Sequence, residues 1–295
     1  QKDSGLPLDE AKFGKSAWYP PGHGDFYTCI RDQGLLDNWL DQGKEILFIS
    51  NSDNLGATVD NRILSYMAAG NCPFLMEVTA KTAADVKGGT LYQNQGRMRL
   101  LEVAQVPEQH MDDFCGTQKF NIFNTNNIWI NLAHLRKRLR EGPLELGVIV
   151  NPKSVDGIEA VQLETAMGAA IENFPGAVGL VVPRSRYLPV KRTSDLFLVQ
   201  SDLFILEKGH LRRNPERKAP GLPLIEFGTS HAKFEDYQNR IPFVPSLIEL
   251  ESLVLDGDIW FEEGVTLKGE VALIHHQGRM TVAKGAVLGD NETLQ

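Results

Sequence analysis

AVGLVVPRSRYLPVKRTSD, residues 177–195, joins an apolar β-branched run to a cluster of cations. Ala177–Val182 reads as the buried end of a strand. Pro183 and Pro189 fix φ and remove two backbone donors, which stiffens the exit from that strand. Arg184, Arg186, Lys191 and Arg192 follow within nine residues, in a chain whose formal net charge is −8. Four cations on a stiffened segment leaving a core strand suit a polyanion such as a triphosphate. A solvated basic loop is the competing reading of the same residues.

Upstream, Ile46-Leu47-Phe48-Ile49 is a second continuous apolar run, as expected of a parallel strand buried on both faces. It ends in Ser50-Asn51-Ser52-Asp53-Asn54. Ligands of open α/β sheets gather beyond the carboxyl ends of strands, so Asp53 is placed to hold Mg²⁺. Asn51 and Asp53 could equally shape a turn and cap the next helix, whose apolar face is Val59, Ile63, Leu64 and Met67. Earlier still, Trp18-Tyr19-Pro20-Pro21-Gly22-His23-Gly24-Asp25 is a rigid turn. Its glycines permit close backbone approach, and Asp25 could cap a helix carrying Phe26 and Ile30.

Further along, Phe74–Thr79 reads as a strand. Lys87–Leu91 turns into a strand pair, with Arg97–Gln105 returning and carrying Glu102. Phe120–Ile130 alternates apolar and polar. Asn124, Thr125 and Asn126 there form either a half-buried ladder or a set of amides suited to sugar hydroxyls. Val148–Val150 reads as a strand and Gln162–Phe174 as an amphipathic helix stopped by Pro175-Gly176. Leu196–Leu206 closes the sheet domain, and residues 207–223 read as a linker. From about Leu247, short apolar triplets separated by glycine turns (LVLDGD, IWFEEG, VTLKGE) indicate stacked β-coils.

Composition bounds the remaining classes. With 295 residues, 42% hydrophobic and 23% charged, the chain can bury a large core. The acidic balance argues against a nucleic acid polymer or an anionic membrane as partner. No apolar run approaches the ~20 residues of a membrane span. Cys29, Cys72 and Cys115 are scattered and form no CxxC, which reads as reduced thiols in a cytoplasmic protein. No signal peptide is visible, and the sequence begins at Gln1.

Six ordered segments resemble the UDP-glucose pyrophosphorylases of eukaryotic type (UTP–glucose-1-phosphate uridylyltransferases). They are YPPGHGDFY at 19–27, FISNSDNLGATVD at 48–60, MEVTAKTAADVKGGTL at 76–91, FNIFNTNNIWINL at 120–132, NPKSVDGIEAVQLETAMGAAI at 151–171 and VPRSRYLPVKRTSDLFLVQSDLF at 182–204. The resemblance implies a mixed, mostly parallel α/β nucleotidyltransferase domain of Rossmann-like type over 1–242. A small left-handed β-helix follows over 243–295. It implies a Mg²⁺-dependent, reversible reaction of UTP with glucose-1-phosphate to give UDP-glucose and pyrophosphate. By the resemblance, Gly22 and His23 contact the nucleotide and the sugar phosphate, Asn51, Ser52 and Asp53 the nucleotide and metal, and Lys191 the phosphates. Gly89, Glu102, Asn124, Thr125 and Asn126 resemble the residues that contact the hexose. A homo-oligomer is compatible with the family.

One departure stands out. The family's glycine-rich loop, LxGGxGTxMGxxxPK, has no match here, nor does its uracil-contacting glutamine segment. This leads to the expectation that the 295 residues alone are inactive. A UDP-N-acetylhexosamine pyrophosphorylase and a non-catalytic binding or assembly module are the alternative readings.

Overall fold

The computed structural model describes residues 1–82 and 88–289 and the backbone of 292–294. Lys87 of the Lys87–Leu91 turn lies outside the described residues. The chain divides into two compact units, residues 1–51 with 59–184, and residues 52–58 with 185–295.

The first unit is built on a four-stranded sheet. Its strands are β1 (Ile46–Ile49), β2 (Phe74–Ala80), β5 (Ile122–Asn131) and β8 (Val178–Val181), in the order β1-β5-β2-β8. Between β2 and β5 lies the hairpin β3 (Thr90–Asn94) with β4 (Arg97–Leu101). Between β5 and β8 lies the hairpin β6 (Val148–Val155) with β7 (Ile158–Thr165). The period of two decides which core each side chain joins. Phe74, Met76, Val78, Ile128 and Ile130 enter the larger core with Tyr27, Leu132 and Ile171, while Leu75 and Trp129 join Ile63, Met67 and Val182 in a second.

The sheet is mixed, but the mostly parallel expectation is corrected within it. β5 runs antiparallel to both β1 and β2, and the parallel pairing is β2 with β8. The apolar run of β1 is accordingly a half-buried edge strand and not a parallel strand buried on both faces. β8 is also an edge: Val181 is 66% exposed, while Val178 and Leu180 pack against the second core and Val182 just beyond the strand is buried in it. An apolar run reports burial without reporting strand direction or position in the sheet.

Three further expectations change. Gln162–Phe174 is not an α-helix, because Asp156-Gly157 closes a tight hairpin with both residues at positive φ (48° and 81°). That turn pairs Val155 with Ile158 and carries β7 to Thr165, and Met167–Asn173 is a 3₁₀ segment. Asp25 opens the helix Phe26–Asp32 without capping it; its carboxylate accepts from Cys29 Sγ instead. In the helix Asn61–Ala69, Asp60 is the cap, and Ile63 and Met67 are buried while Val59 and Leu64 are exposed.

In the second unit, after the segments 52–58 and 185–192, comes the helix Thr193–Gln200, whose first turn is closed by Asp195 accepting from the amides of Lys191 and Arg192. The hairpin β9 (Phe204–Glu207) with β10 (His210–Arg213) follows, so Leu196–Leu206 does not close the first sheet and 207–223 is not a plain linker. Arg217 is buried there and donates to the carbonyls of Gly221, Leu247, Ile248 and Leu250.

The rest of this unit is a parallel stack of β11 (Leu224–Phe227), β12 (Ser246–Phe261), β13 (Thr266–Val282), β14 (Val287–Leu288) and β15 (Glu292–Leu294). Like sits on like across the layers: Leu253 on Val271, Leu255 on Leu273, Phe261 on Val282. These side chains form the apolar interior of the unit with Leu247, Leu250, Ile259 and Leu267. Stacked parallel strands with glycine-marked corners are what the triplet pattern indicates. Gly257 sits at one corner with φ +113° and lies against the His275 backbone, where a Cβ has no room.

Candidate functional site

The loop Tyr19–Gly24 is held by the end of β7. Gln162 Nε2 donates to the Pro20 carbonyl at 3.2 Å, and the Thr165 amide donates to the Pro21 carbonyl at 2.9 Å. Gly22 has φ +89°, and a Cβ on it would stand 2.5 Å from the Thr165 carbonyl oxygen. Only glycine satisfies both the backbone and the contact. Glu164 accepts from Asn151 and Gln162 and so ties the two hairpin strands together beside the loop.

His23 follows. Its Nδ1 accepts the Met167 amide proton at 2.8 Å, while the outer edge of the ring is open to solvent. Loss of water on the inner side pushes its pKa below the ordinary 6.5, against the opposing charge of Glu164. An acceptor Nδ1 requires the neutral ring with its proton on Nε2, so His23 offers an N–H donor outward.

The asparagine run lies on β5, which is buried on both faces and not half-buried. Between the pairs Val78–Asn124 and Met76–Ile128, three residues of β5 face one of β2, which makes a bulge. Asn126, at its apex, has φ +59°. Its amide proton goes to Asn124 Oδ1 at 2.8 Å, and its Nδ2 donates to Asn51 Oδ1 at 2.8 Å. Thr125 is buried, with its hydroxyl donating to the Glu77 carbonyl at 2.7 Å. That hydroxyl is committed to the bulge.

Gly89 lies alongside, and its carbonyl accepts the Asn124 amide proton at 2.8 Å. A Cβ at Gly89 would stand 2.7 Å from Glu102 Oε1. Glu102 follows β4 directly instead of lying within a returning strand that runs on to Gln105. Burial pushes its carboxyl above the usual range. Gly168, next to Met167, faces Asn124 Nδ2 at 3.7 Å from a hypothetical Cβ. Through Met167, Gly168, Asn124 and Gly89, the first unit therefore brings His23, Glu102, Asn126 and Asn51 into one polar neighbourhood above a bulged strand.

Lys191 and Asp53 belong to the second unit. The strap 52–58 is sewn to residues 185–190: Asn54 Oδ1 accepts from the amides of Leu188 and Gly56, and the Val190 amide donates to the Asp53 carbonyl at 2.9 Å. Arg186 donates to the Thr58 carbonyl at 2.8 Å, and Arg184 reaches the Ala80 carbonyl at 3.5 Å. The four-cation cluster is thus divided, since Arg186 is built into the strap. Lys191 and Arg192 are exposed. Among the described residues, no hydrogen bond or ion pair engages the Asp53 carboxylate or the Lys191 ammonium. Ser52 is exposed at the strap's start.

Sequence reasoning missed the hairpin end at Gln162–Thr165, the 3₁₀ residue Met167 and the buried Glu77. The Asp156-Gly157 turn was the signal for the first. Nothing local marks Glu77, which sits inside an apolar strand.

The UTP–glucose-1-phosphate uridylyltransferase family model matches residues 1–268. The chain is 50% identical over 290 residues to the UTP–glucose-1-phosphate uridylyltransferase of Pyrus pyrifolia, covering 98% of this chain and 61% of that protein. It is 49% identical over 289 residues to that of Hordeum vulgare, covering 97% and 61%. Among solved structures, UDP-glucose pyrophosphorylase of Leishmania major superposes with TM-score 0.85 at 35% identity, covering 99% of this chain and 66% of that one. A variant of the Leishmania major enzyme in complex with UDP-glucose gives TM-score 0.86 at 35% identity, with coverage of 99% and 66%. The chain spans about three fifths of the length of the curated relatives it matches, 61% in both cases given. With nine-tenths of its residues inside one family model and half of them identical in the plant proteins, the chain belongs to the UTP–glucose-1-phosphate uridylyltransferase family.

Proposed function

We propose that the full protein transfers a uridylyl group from UTP to glucose-1-phosphate, giving UDP-glucose and pyrophosphate reversibly. The observation that carries this reading is the neighbourhood of His23, Gly89, Glu102, Asn124 and Asn126 in a chain of this family. Neutral donors and acceptors with one half-buried carboxylate suit a hexose better than a second anion. A relative of known structure binds UDP-glucose.

The roles divide by unit. In the first, Gly22 brings backbone against the base, and His23 donates from Nε2 to the sugar phosphate. Asn51 contributes to the nucleotide, with Ser52 beside it in sequence. Glu102 accepts from sugar hydroxyls, Gly89 keeps room for it, and Asn124 and Asn126 supply amides on a shape that Thr125 holds. In the second, Lys191 neutralises phosphate charge.

Asp53 fits Mg²⁺ in the mode that uses one or two carboxylates with substrate phosphate oxygens and water. Its free carboxylate supports this, and among the described residues no group of three or more His, Cys, Asp or Glu offers a protein-only cage. When bound, Mg²⁺ supplies charge neutralisation on the triphosphate. The sugar phosphate is an anionic nucleophile at neutral pH and requires no general base. Its oxygen bonds to the α-phosphorus, the bond from that phosphorus to the α–β bridging oxygen breaks, and pyrophosphate departs with that oxygen. Positioning and charge stabilisation account for the rate.

We assign the transfer chemistry to residues 1–242 and association to a left-handed β-helix of 243–295, with a homo-oligomer as the assembly. The parallel stack of β12–β15, which β11 (Leu224–Phe227) joins from before residue 243, supports the β-helix. Cys29, Cys72 and Cys115 are scattered along the chain and form no CxxC, which supports the reducing cytoplasm as location. Among the described residues no helix is long and apolar enough to cross a membrane.

The test is competition. The full protein is given UTP and Mg²⁺ with equimolar glucose-1-phosphate and N-acetylglucosamine-1-phosphate. UDP-glucose as the main product supports the reading. UDP-N-acetylglucosamine as the main product assigns the other enzyme specificity, and nucleotide binding without turnover assigns a non-catalytic module.

A further inference from the structure

Glu77 carries no role in the account so far, yet it is a carboxylate with 0% exposure inside the central sheet. It occupies the one β2 position that faces the β5 bulge, between the pairs of Met76 and Val78. Its Oε1 accepts the Trp129 indole proton at 2.8 Å, and its Oε2 accepts from Asn127 Nδ2 at 3.1 Å. Its carbonyl takes the Thr125 hydroxyl at 2.7 Å, and the same hydroxyl oxygen accepts the Asn127 amide proton at 3.2 Å. The residues flanking Asn126 on both sides are therefore fastened to one buried acidic residue.

We propose that Glu77 is a positioning residue that sets the hexose-facing bulge, and so tunes sugar recognition without touching substrate. The inference rests on the reading that Asn124 and Asn126 bind the hexose. An apolar residue at 77 would leave the Trp129 and Asn127 donors buried without that acceptor, and the bulge would lose its anchor. A carboxylate is the group that accepts at both oxygens. Asn126 holds its apex at positive φ, a conformation asparagine tolerates and that its bonds to Asn124 Oδ1 and Asn51 Oδ1 fix here. Once the fastening loosens, relaxation of Asn126 moves its amide off Asn51 and away from the sugar.

The test exploits hydrogen-bond polarity. Glu77→Gln keeps the shape but presents an NH₂ to either the Asn127 or the Trp129 donor. In the full protein it should raise the KM for glucose-1-phosphate roughly tenfold, while kcat and the KM for UTP change less than about threefold. The double variant Glu77→Gln with Asn127→Asp reverses the donor and acceptor of that pair and leaves the carbonyl oxygen of the introduced glutamine to accept from Trp129. It should bring the glucose-1-phosphate KM back to within about threefold of the parent. Should Glu77→Gln alone not fold, the double variant made directly decides by the same criterion.

A folded Glu77→Gln with unchanged sugar-phosphate KM and a lowered melting temperature would mean that Glu77 is only structural. A folded double variant with no recovery also overturns the proposal. A parent protein that does not turn over glucose-1-phosphate sinks the functional reading itself, an outcome distinct from either.

Discussion

His23 is the residue whose state is most sharply defined by its surroundings. Its folded-state pKa lies below the ordinary 6.5, because burial of the inner ring disfavours charge. As pH falls through 6.5, the unfolded chain takes up the proton first. The stability contribution is therefore full above that value and declines down to the folded-state midpoint. An NMR titration of the His23 ring should give a midpoint below 6.5, and one at or above it would remove the acceptor role of Nδ1. Glu102 shifts the other way. Its raised pKa should place the acid limb of kcat/KM for glucose-1-phosphate above the ordinary glutamate range, and Glu102→Gln should abolish that limb. A pH profile settles both statements. Lys191 was legible as a cation behind a strand, but not as the one to choose among four. The resemblance singled it out; the structure sets Arg186 apart, fastened to Thr58, and leaves Lys191 and Arg192 both exposed. Lys191→Ala should lower kcat by about 10²–10³, on the scale of one lost transition-state donor. Lys191→Arg should recover only part, since a planar fork replaces a compact charge. Near-normal kinetics for Lys191→Ala would exclude the role.

At the scale of elements, turn chemistry told more than periodicity. The apolar residues of 162–174 fit a helical face, yet Asp156-Gly157 pairs two strands and delivers Thr165 to the loop before His23. Period alone cannot separate a short apolar strand from a helix segment, whereas an Asp-Gly pair between alternating residues can. The parallel strand stack of the second unit was legible because its glycine spacing marks the strand ends. Strand direction in the first sheet was not legible, because an apolar run is equally compatible with either. Gly89→Ala tests the close approach of elements. A Cβ 2.7 Å from Glu102 Oε1 should displace that carboxylate and raise the glucose-1-phosphate KM more than the UTP KM. Equal effects on both would place Gly89 outside the hexose site. In the stack, Leu255 is wholly buried on Leu273. Leu255→Ala should cost about 2–5 kcal/mol in denaturant unfolding of the coil unit. Little change in the sugar-phosphate KM should accompany it.

For the molecule as a whole, six ordered motifs carried the family, and the fold then explained why they are spaced as they are. Segments at 19–27, 76–91, 120–132 and 151–171 are far apart in sequence and meet around one bulged strand and one hairpin. Glu77 escaped sequence reading because its importance lies in a register shift that only the paired strands define. Central to the proposed function is that a phosphate oxygen of glucose-1-phosphate becomes bonded to the α-phosphorus of UTP while pyrophosphate leaves. It can be tested in the full protein, with UTP, Mg²⁺ and glucose-1-phosphate whose three non-bridging phosphoryl oxygens are ¹⁸O. Mass spectrometry of the products reads where the label goes. Direct attack on the α-phosphorus predicts that all the label stays in UDP-glucose, one labelled oxygen becoming the bridge, with none in pyrophosphate. Label in pyrophosphate, or no UDP-glucose at all, would contradict the account.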